Sequence, residues 1–243
     1  MKRTYTDLHL CANLNNLEQA SRLIDKASQL GYSAVAVPMP KNVDVYMQSL
    51  RTVCRDLAVD FVTRVDLRPR NPDELLRDLR KCRRRFEIIA VLCDSKPVAR
   101  QAAKDRRVDL LDFPQIDFRR RFFDLAEAEL ASQSLACLEI DAGRLLTLEG
   151  ADRIRLLSSL RREVATAVDF HVPVIVSSGV SDPLLVRKPM ELAALSSLFG
   201  PTGKLALDAV STNPSSIVTR NREKLSPKFV APGIKLVREG NDC

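Results

Sequence analysis

A chain of 243 residues with 45% hydrophobic and 28% charged residues has the composition of a soluble globular protein with one sizeable core, which argues against disordered and membrane classes. No apolar run approaches the ~20 residues of a membrane span, and the start MKRTYTDLHL has no apolar leader core, so neither a membrane protein nor a secreted one is expected. The formal charge of +7 favours an acidic partner such as RNA, while cysteines at 11, 54, 82, 93, 137 and 243, with no CxxC pair, read as reduced residues of a cytoplasmic protein rather than a zinc site.

Short apolar runs then alternate with amphipathic segments as far as Lys224, the order that builds a parallel sheet covered by helices. A strand over Thr4–Leu8 leads to a helix over Leu17–Leu30, with Asn15 as cap, Gly31 as stop, and Leu17, Ala20, Ile24 and Ala27 on one buried face. A second strand, Ala34–Val37, is closed by Pro38 and Pro40 and followed by a helix over Val43–Leu57. The third strand, Phe61–Leu67, sets Arg64, Asp66 and Arg68 opposite its apolar residues. Asn71 and Pro72 start the next helix, whose last turns carry Arg80, Lys81, Arg83, Arg84 and Arg85. Strands over Ile88–Leu92 and Val108–Asp112 flank a short helix, Lys96–Asp105. Asp117 caps a fifth helix that buries Phe118, Phe122, Ala126 and Leu130 and leaves Arg119, Arg120 and Arg121 in solvent. After a strand at Leu138–Asp141, the longest helix, Glu149–Val168, buries Ile154, Leu157, Val164 and Val168.

The last two units share one pattern. A strand over Val172–Val176 opens into Ser177, Ser178 and Gly179, then a helix with Pro189 at its first position and Gly200 past its end. A strand over Leu205–Val210, a turn at Ser211 and Thr212, and a helix capped by Asn213 with Pro214 first complete the series. Eight strand–helix units without an intervening linker predict one α/β domain over residues 1–226, a closed (β/α)8 TIM-like barrel. Residues 227–243 read as a C-terminal tail with a turn at Pro232 and Gly233 and no other element.

The segment from Ser177 to Lys224 resembles the ribonuclease P protein component 3 family. The matching residues are Ser177, Ser178, Gly179, Asp182, Arg187, Pro189, Leu192–Leu195, Leu198 and Gly200, then Ala209–Ser211, Asn213, Pro214, Asn221, Arg222 and Lys224. Weaker matches lie at Asp7–His9, Asp109–Pro114 and Leu138–Asp141. The resemblance implies a barrel that supports 5′ maturation of precursor tRNA by a catalytic RNA, with the ribonuclease P RNA and protein component 2 as partners. Precursor tRNA is then the holoenzyme's substrate, Mg²⁺ belongs to the RNA-based holoenzyme, and the chain itself holds no cofactor.

Two groups of side chains carry the chemistry. Asp7, His9, Asp66, Asp112, Glu139, Asp141 and Asp208 fall near strand ends, of which Asp7, His9, Asp66 and Asp141 form a vestigial acidic mouth. The DLH at Asp7–His9 is similar to the DLHxH of polymerase-and-histidinol-phosphatase phosphoesterases, so a metal-dependent phosphoesterase is the alternative and a small-molecule barrel enzyme a third class. Cys11 stands where that motif has its second histidine, and His171 precedes its strand, so His9 is the one imidazole expected at the mouth, with no metal and no catalytic residue. The mouth carboxylates are expected to pair with Arg64, Arg68 or Arg144. The second group is basic: Arg187, Lys188, Arg220, Arg222, Lys224, Arg64, Arg68, Arg83, Arg84 and Arg85 are the candidate RNA contacts, with Arg187 foremost because its loop joins a strand to a proline-started helix. Each basic group also fits a solvated surface or a helix C-terminus.

Overall fold

Seven strands, each parallel to the next, follow one another round the barrel in sequence order: β1 (Thr6–Asp7), β2 (Ala34–Pro38), β3 (Asp60–Leu67), β4 (Ile88–Leu92), β5 (Leu110–Asp112), β6 (Cys137–Asp141) and β7 (Val174–Ser177). The structure is a computed structural model that describes residues 3–41, 44–200, 202–231 and 234–235. The connecting helices are α1 (Leu17–Gln29), α2 (Asp44–Asp56), α3 (Pro72–Cys82), α4 (Lys96–Lys104), α5 (Leu125–Ser134), α6 (Gly143–Thr147) and α7 (Gly150–Asp169). After β7 come α8 (Pro189–Ser196), α9 (Gly203–Ala209) and α10 (Thr212–Leu225).

Strand alternation divides the apolar residues into two cores. Val35, Val65, Ile89, Val91, Leu138, Ile140 and Val176 face the outer helices, whereas Ala34, Ala36, Val62, Ile88, Ala90, Leu110, Cys137 and Ile175 fill the barrel interior. The same parity carries Arg64, Asp66, Asp112, Glu139, Asp141 and Ser177 inward at the C-terminal ends of their strands.

The eighth strand expected over Leu205–Val210 is instead α9. Lys204, Leu205, Ala206, Leu207 and Ala209 are strong helix formers with no β-branched residue before Val210, and the buried pair Ala206 and Ala209 has helical spacing. The barrel therefore closes between β1 and β7. Leu10 bridges Val180 in parallel, Cys11 N donates to the Val180 carbonyl at 2.9 Å and Gly179 N to the His9 carbonyl at 2.8 Å. Lower down, Thr6 N donates to the Val210 carbonyl at 3.4 Å.

Helix α10 does not join the outer ring; it lies across the N-terminal ends of the strands and stoppers the barrel. Its Ile217 and Val218 sit in the interior core. Asn213 donates to the Val174 carbonyl at the start of β7 at 2.8 Å, Asn221 to the Glu87 carbonyl before β4 at 2.7 Å, and Arg222 to Asp60 at the start of β3 at 2.5 Å.

Several local expectations shift. Asn16 rather than Asn15 caps α1, accepting from Gln19 N, and Leu17 stays 47% exposed. Asp117 opens a 3-10 turn over Phe118–Arg120, and α5 starts later, capped by Asp124. Its buried face is Glu127, Ala128, Ala131 and Ser134, so Ala126 is exposed and Leu130 half-buried, while Phe123 packs edge-on against Phe113 at 5.8 Å; the Phe118 side chain lies outside the described residues. Arg121 leaves the expected solvated triplet, its buried guanidinium held by Glu163 at 2.6 Å and by the Phe113 and Gln115 carbonyls. Helix α7 carries two apolar stripes out of phase: Leu156, Leu160, Val164 and Ala167 are buried, and Ile154 and Val168 face solvent. Asn213 stands inside α10, whose cap position is Ser211. The tail contains an antiparallel pair, β8 (Phe229–Ala231) with β9 (Ile234–Lys235), whereas the expected turn at Pro232 and Gly233, the start of the second helix at Val43, and Cys243 lie outside the described residues.

Glu127 is the exception in this outer core. Arg100 Nη1 reaches its Oε2 at 2.9 Å, but that guanidinium also holds exposed Asp124 at 2.7 Å, and Glu127 Oε1 has no partner. Burial therefore outweighs the ion pair and pushes the carboxyl up to about 8. A carboxyl raised on folding contributes stability that is present below its ordinary value and lost as pH rises through the folded one. Thermal unfolding should show Glu127→Gln gaining on the native chain between pH 5 and 9; a constant difference across that range overturns the assignment.

Candidate functional site: the barrel mouth and the basic surfaces

The mouth is built from strand ends, and its centre is a cation. Arg64 on β3 is 0% exposed and forms a fork with Glu139 on β6, Nη1 to Oε1 at 2.7 Å and Nη2 to Oε2 at 2.7 Å. Its Nε donates to Asp66 at 2.6 Å and its Nη1 also to the Leu8 carbonyl at 2.6 Å, while Ser177 Oγ donates to Glu139 at 2.7 Å. Burial works against the guanidinium, but Asp66 and Glu139 more than offset it and hold the pKa well above its ordinary value.

Beside this pair, His9 Nδ1 meets Asp141 Oδ1 at 2.8 Å, and its Nε2 lies 3.4 Å from both Asp66 and the Cys11 thiol. Burial and Arg64 oppose the imidazolium, yet Asp141 outweighs them and the histidine is held well above its usual range; Asp141 is lowered in turn, against its own burial. Asp7 accepts from His9 N at 3.1 Å and Ser178 N at 3.0 Å, and burial raises it. Asp112 is pushed up to about 7 by burial and by the nearby Asp141 and Glu139. Gly179 has φ +61, and a Cβ there would stand 2.5 Å from the Asp141 side chain; both require the glycine of the Ser-Ser-Gly turn.

His9, Glu139 and Asp141 present donor atoms within 4.8 Å of one another, a spacing suited to a metal. They do not fit one. Both Glu139 oxygens are spent on Arg64, and the His9–Asp141 ion pair protonates the imidazole that would have to be the neutral ligand. Ser177 is tied to the locked Glu139, and the Cys11 thiol faces the imidazole that Asp141 holds, 3.4 Å from its Nε2. The cavity beneath Asp112, Asp141 and Arg144 measures about 10 Å³, room for at most a single water.

The candidate RNA contacts are dispersed over distinct regions. Arg64 leaves the set, because a fully buried guanidinium cannot reach a phosphate. Arg187 and Lys188 stand on the rim beyond β7, where Arg187 Nη1 folds back on the Leu184 and Val186 carbonyls, at 2.8 and 3.3 Å, rather than pairing with Asp182. Arg68, also near the rim, holds Asp94 at 2.5 Å. Arg83, Arg220, Arg222 and Lys224 gather at the opposite end with the end of α10, so the expected grouping of Arg187 with Arg220, Arg222 and Lys224 does not form. Arg84 and Arg85 close α3 nearby, with Arg85 donating to the Lys41 carbonyl at 3.1 Å. Reading by residue type overlooked Asp109, whose place just before a strand was the available signal, and Arg106.

Such a molecule is an α/β barrel whose mouth is occupied by its own ion pairs. The phosphotriesterase homology protein from Escherichia coli shares that architecture, with a TM-score of 0.53 at 11% identity over 89% of this chain and 99% of that one. The chain belongs to the family described as RNase P subunit p30, whose model matches residues 4–226. It is similar to Ribonuclease P protein component 3 of Methanosarcina barkeri, at 30% identity over 93% of this chain and 92% of that protein, and of Methanosarcina mazei, at 31% over 94% and 92%. A chain in the structure of archaeal ribonuclease P with mature tRNA superposes with a TM-score of 0.83 at 18% identity, covering 98% of this chain and 100% of that one.

If the Arg64–Glu139 fork holds the mouth together, Arg64→Met should cost about 3–5 kcal/mol in chemical denaturation by leaving Glu139 buried and unpaired. The double variant with Glu139→Met should recover most of that loss. Additive losses would show that the pair is not coupled.

Proposed function

We propose that this chain is a protein subunit of ribonuclease P, supporting removal of the 5′ leader from precursor tRNA by the catalytic RNA. The observation that carries the reading is family membership over residues 4–226, with relatives named Ribonuclease P protein component 3 matched along nearly their whole length. The mouth supports it from the chemical side: Arg64 takes the central position a metal would need, so the carboxylates serve structure.

The ribonuclease P RNA, precursor tRNA and a second protein, component 2, are its partners in this reading, with Mg²⁺ held by the RNA and the assembly in the cytoplasm. The phosphoesterase alternative is not favoured. The rim cations Arg187 and Lys188 and the basic residues of the barrel floor supply the RNA contacts, since Arg forks match phosphate oxygens and are always charged.

Reconstitution tests this. Adding the chain to an archaeal ribonuclease P RNA with the remaining protein subunits and Mg²⁺ should raise the rate of leader removal, and the chain alone should cleave nothing. Cleavage by the purified chain, abolished by Asp7→Asn or His9→Ala, would overturn the reading.

A further inference from the structure

Beneath the starts of β4 and β5, Arg83, Arg106, Arg220 and Lys224 surround one buried carboxylate, Asp109. Its Oδ2 accepts from Arg83 Nη1 at 2.6 Å and Ile89 N at 2.9 Å, and its Oδ1 from Arg220 Nη2 at 3.1 Å and Asn221 Nδ2 at 2.7 Å. Both oxygens are thus spent. Arg83 is fixed further by the Phe86, Glu87 and Arg107 carbonyls. Arg106 and Lys224 are exposed and make no hydrogen bond or ion pair among the described residues.

The neighbouring acids are committed elsewhere. Asp105 is taken by Arg107 at 2.6 Å, and Asp60 and Glu87 by Arg222 at 2.5 Å. Arg222 is therefore committed to two carboxylates and leaves the cluster. Helices α3, α4 and α10 end here, and each C-terminus supplies roughly half a negative charge that the cations face. Burial, then Arg220, lowers the Lys224 pKa, Asp109 opposes the shift, and Arg83 and Arg106 add to it. Arg220 Nε is buried with no acceptor.

We propose that this cluster on the barrel floor is a contact site for the phosphate backbone of RNA, with Arg106 and Lys224 touching phosphate oxygens and Arg83 and Arg220 held in place by Asp109. The proposal rests on the reading of the chain as a ribonuclease P subunit, and it places an RNA-facing surface at the end of the barrel opposite the mouth. A phosphodiester brings negative charge to these cations, and the solvent exposure of Arg106 and Lys224 suits a polymer backbone passing across them.

Arg106→Gln with Lys224→Gln tests it, since neither side chain holds the fold, and Arg51→Gln, an exposed cation on α2, is the control for loss of charge. Binding to ribonuclease P RNA, with the other protein subunits present, is measured over a salt series alongside leader removal. The slope of log K against log salt should fall by roughly 0.7 to 0.9 for each lost phosphate contact in the double variant and stay unchanged in the control. Inorganic pyrophosphate should raise the melting temperature of the native chain and not that of the double variant. A double variant that matches the control in both readouts overturns the proposal and leaves the subunit reading standing. An unchanged slope with weaker association to another protein subunit also overturns it, assigning the cluster to an acidic protein segment. A native chain that adds nothing to RNA binding or leader removal overturns the subunit reading, and the proposal with it.

Discussion

Arg64 and Glu139 meet across the barrel interior, and the rest of the mouth is arranged around that fork. One guanidinium joins β3 to β6, to the Leu8 carbonyl beyond β1, and through Glu139 to Ser177 on β7. Taking two charges out of water costs several kcal/mol each, a cost offset only where geometry is good and the remaining polar atoms are satisfied. Here they are: both carboxylate oxygens and every guanidinium nitrogen have partners. The ion pair acts as a polar plug where barrel enzymes keep an open site.

At the other end the plug is a helix. With α9 in place of an eighth strand, the segments just beyond β1 and β7 bridge at Leu10 and Val180, and α10 crosses the floor. Ile217 and Val218 then complete the interior core. The same helix carries Arg220, Arg222 and Lys224 to the floor, beside the ends of α3 and α4. Closing the barrel and concentrating positive charge at one end are consequences of a single element. The barrel thus presents its unpaired charges on outer surfaces, and function has to be argued from those surfaces rather than from the architecture.

The electrostatics of the two ends differ in kind. In the mouth, acids and bases alternate at hydrogen-bond distance and settle into pairs, with His9 protonated and Asp141 ionised. On the floor, cations outnumber acids, and Asp109 serves four donors at once. Paired charges inside a barrel hold structure; unpaired cations in solvent attract polyanions from a distance and are screened by salt.

Sequence alone determined the alternation of strands and helices through β7, because alternating and helical apolar spacings are local properties of the chain. It also determined that polar residues would line the interior of the mouth, since Arg64 and Asp66 share a parity on β3 and Glu139 and Asp141 on β6. Tertiary structure decided the rest. Leu205–Val210 has a pattern compatible with strand or helix, and the bridge of Leu10 to Val180, which leaves no place for an eighth strand there, decides between them. Whether Arg64 faces a phosphate or Glu139 depends on a partner 75 residues away, and whether Lys224 is neighboured by Asp109 or by Arg187 depends on where α10 lies. Local spacing specifies which way a side chain points from its own strand or helix; what it meets there is set by chain closure, which no local pattern encodes.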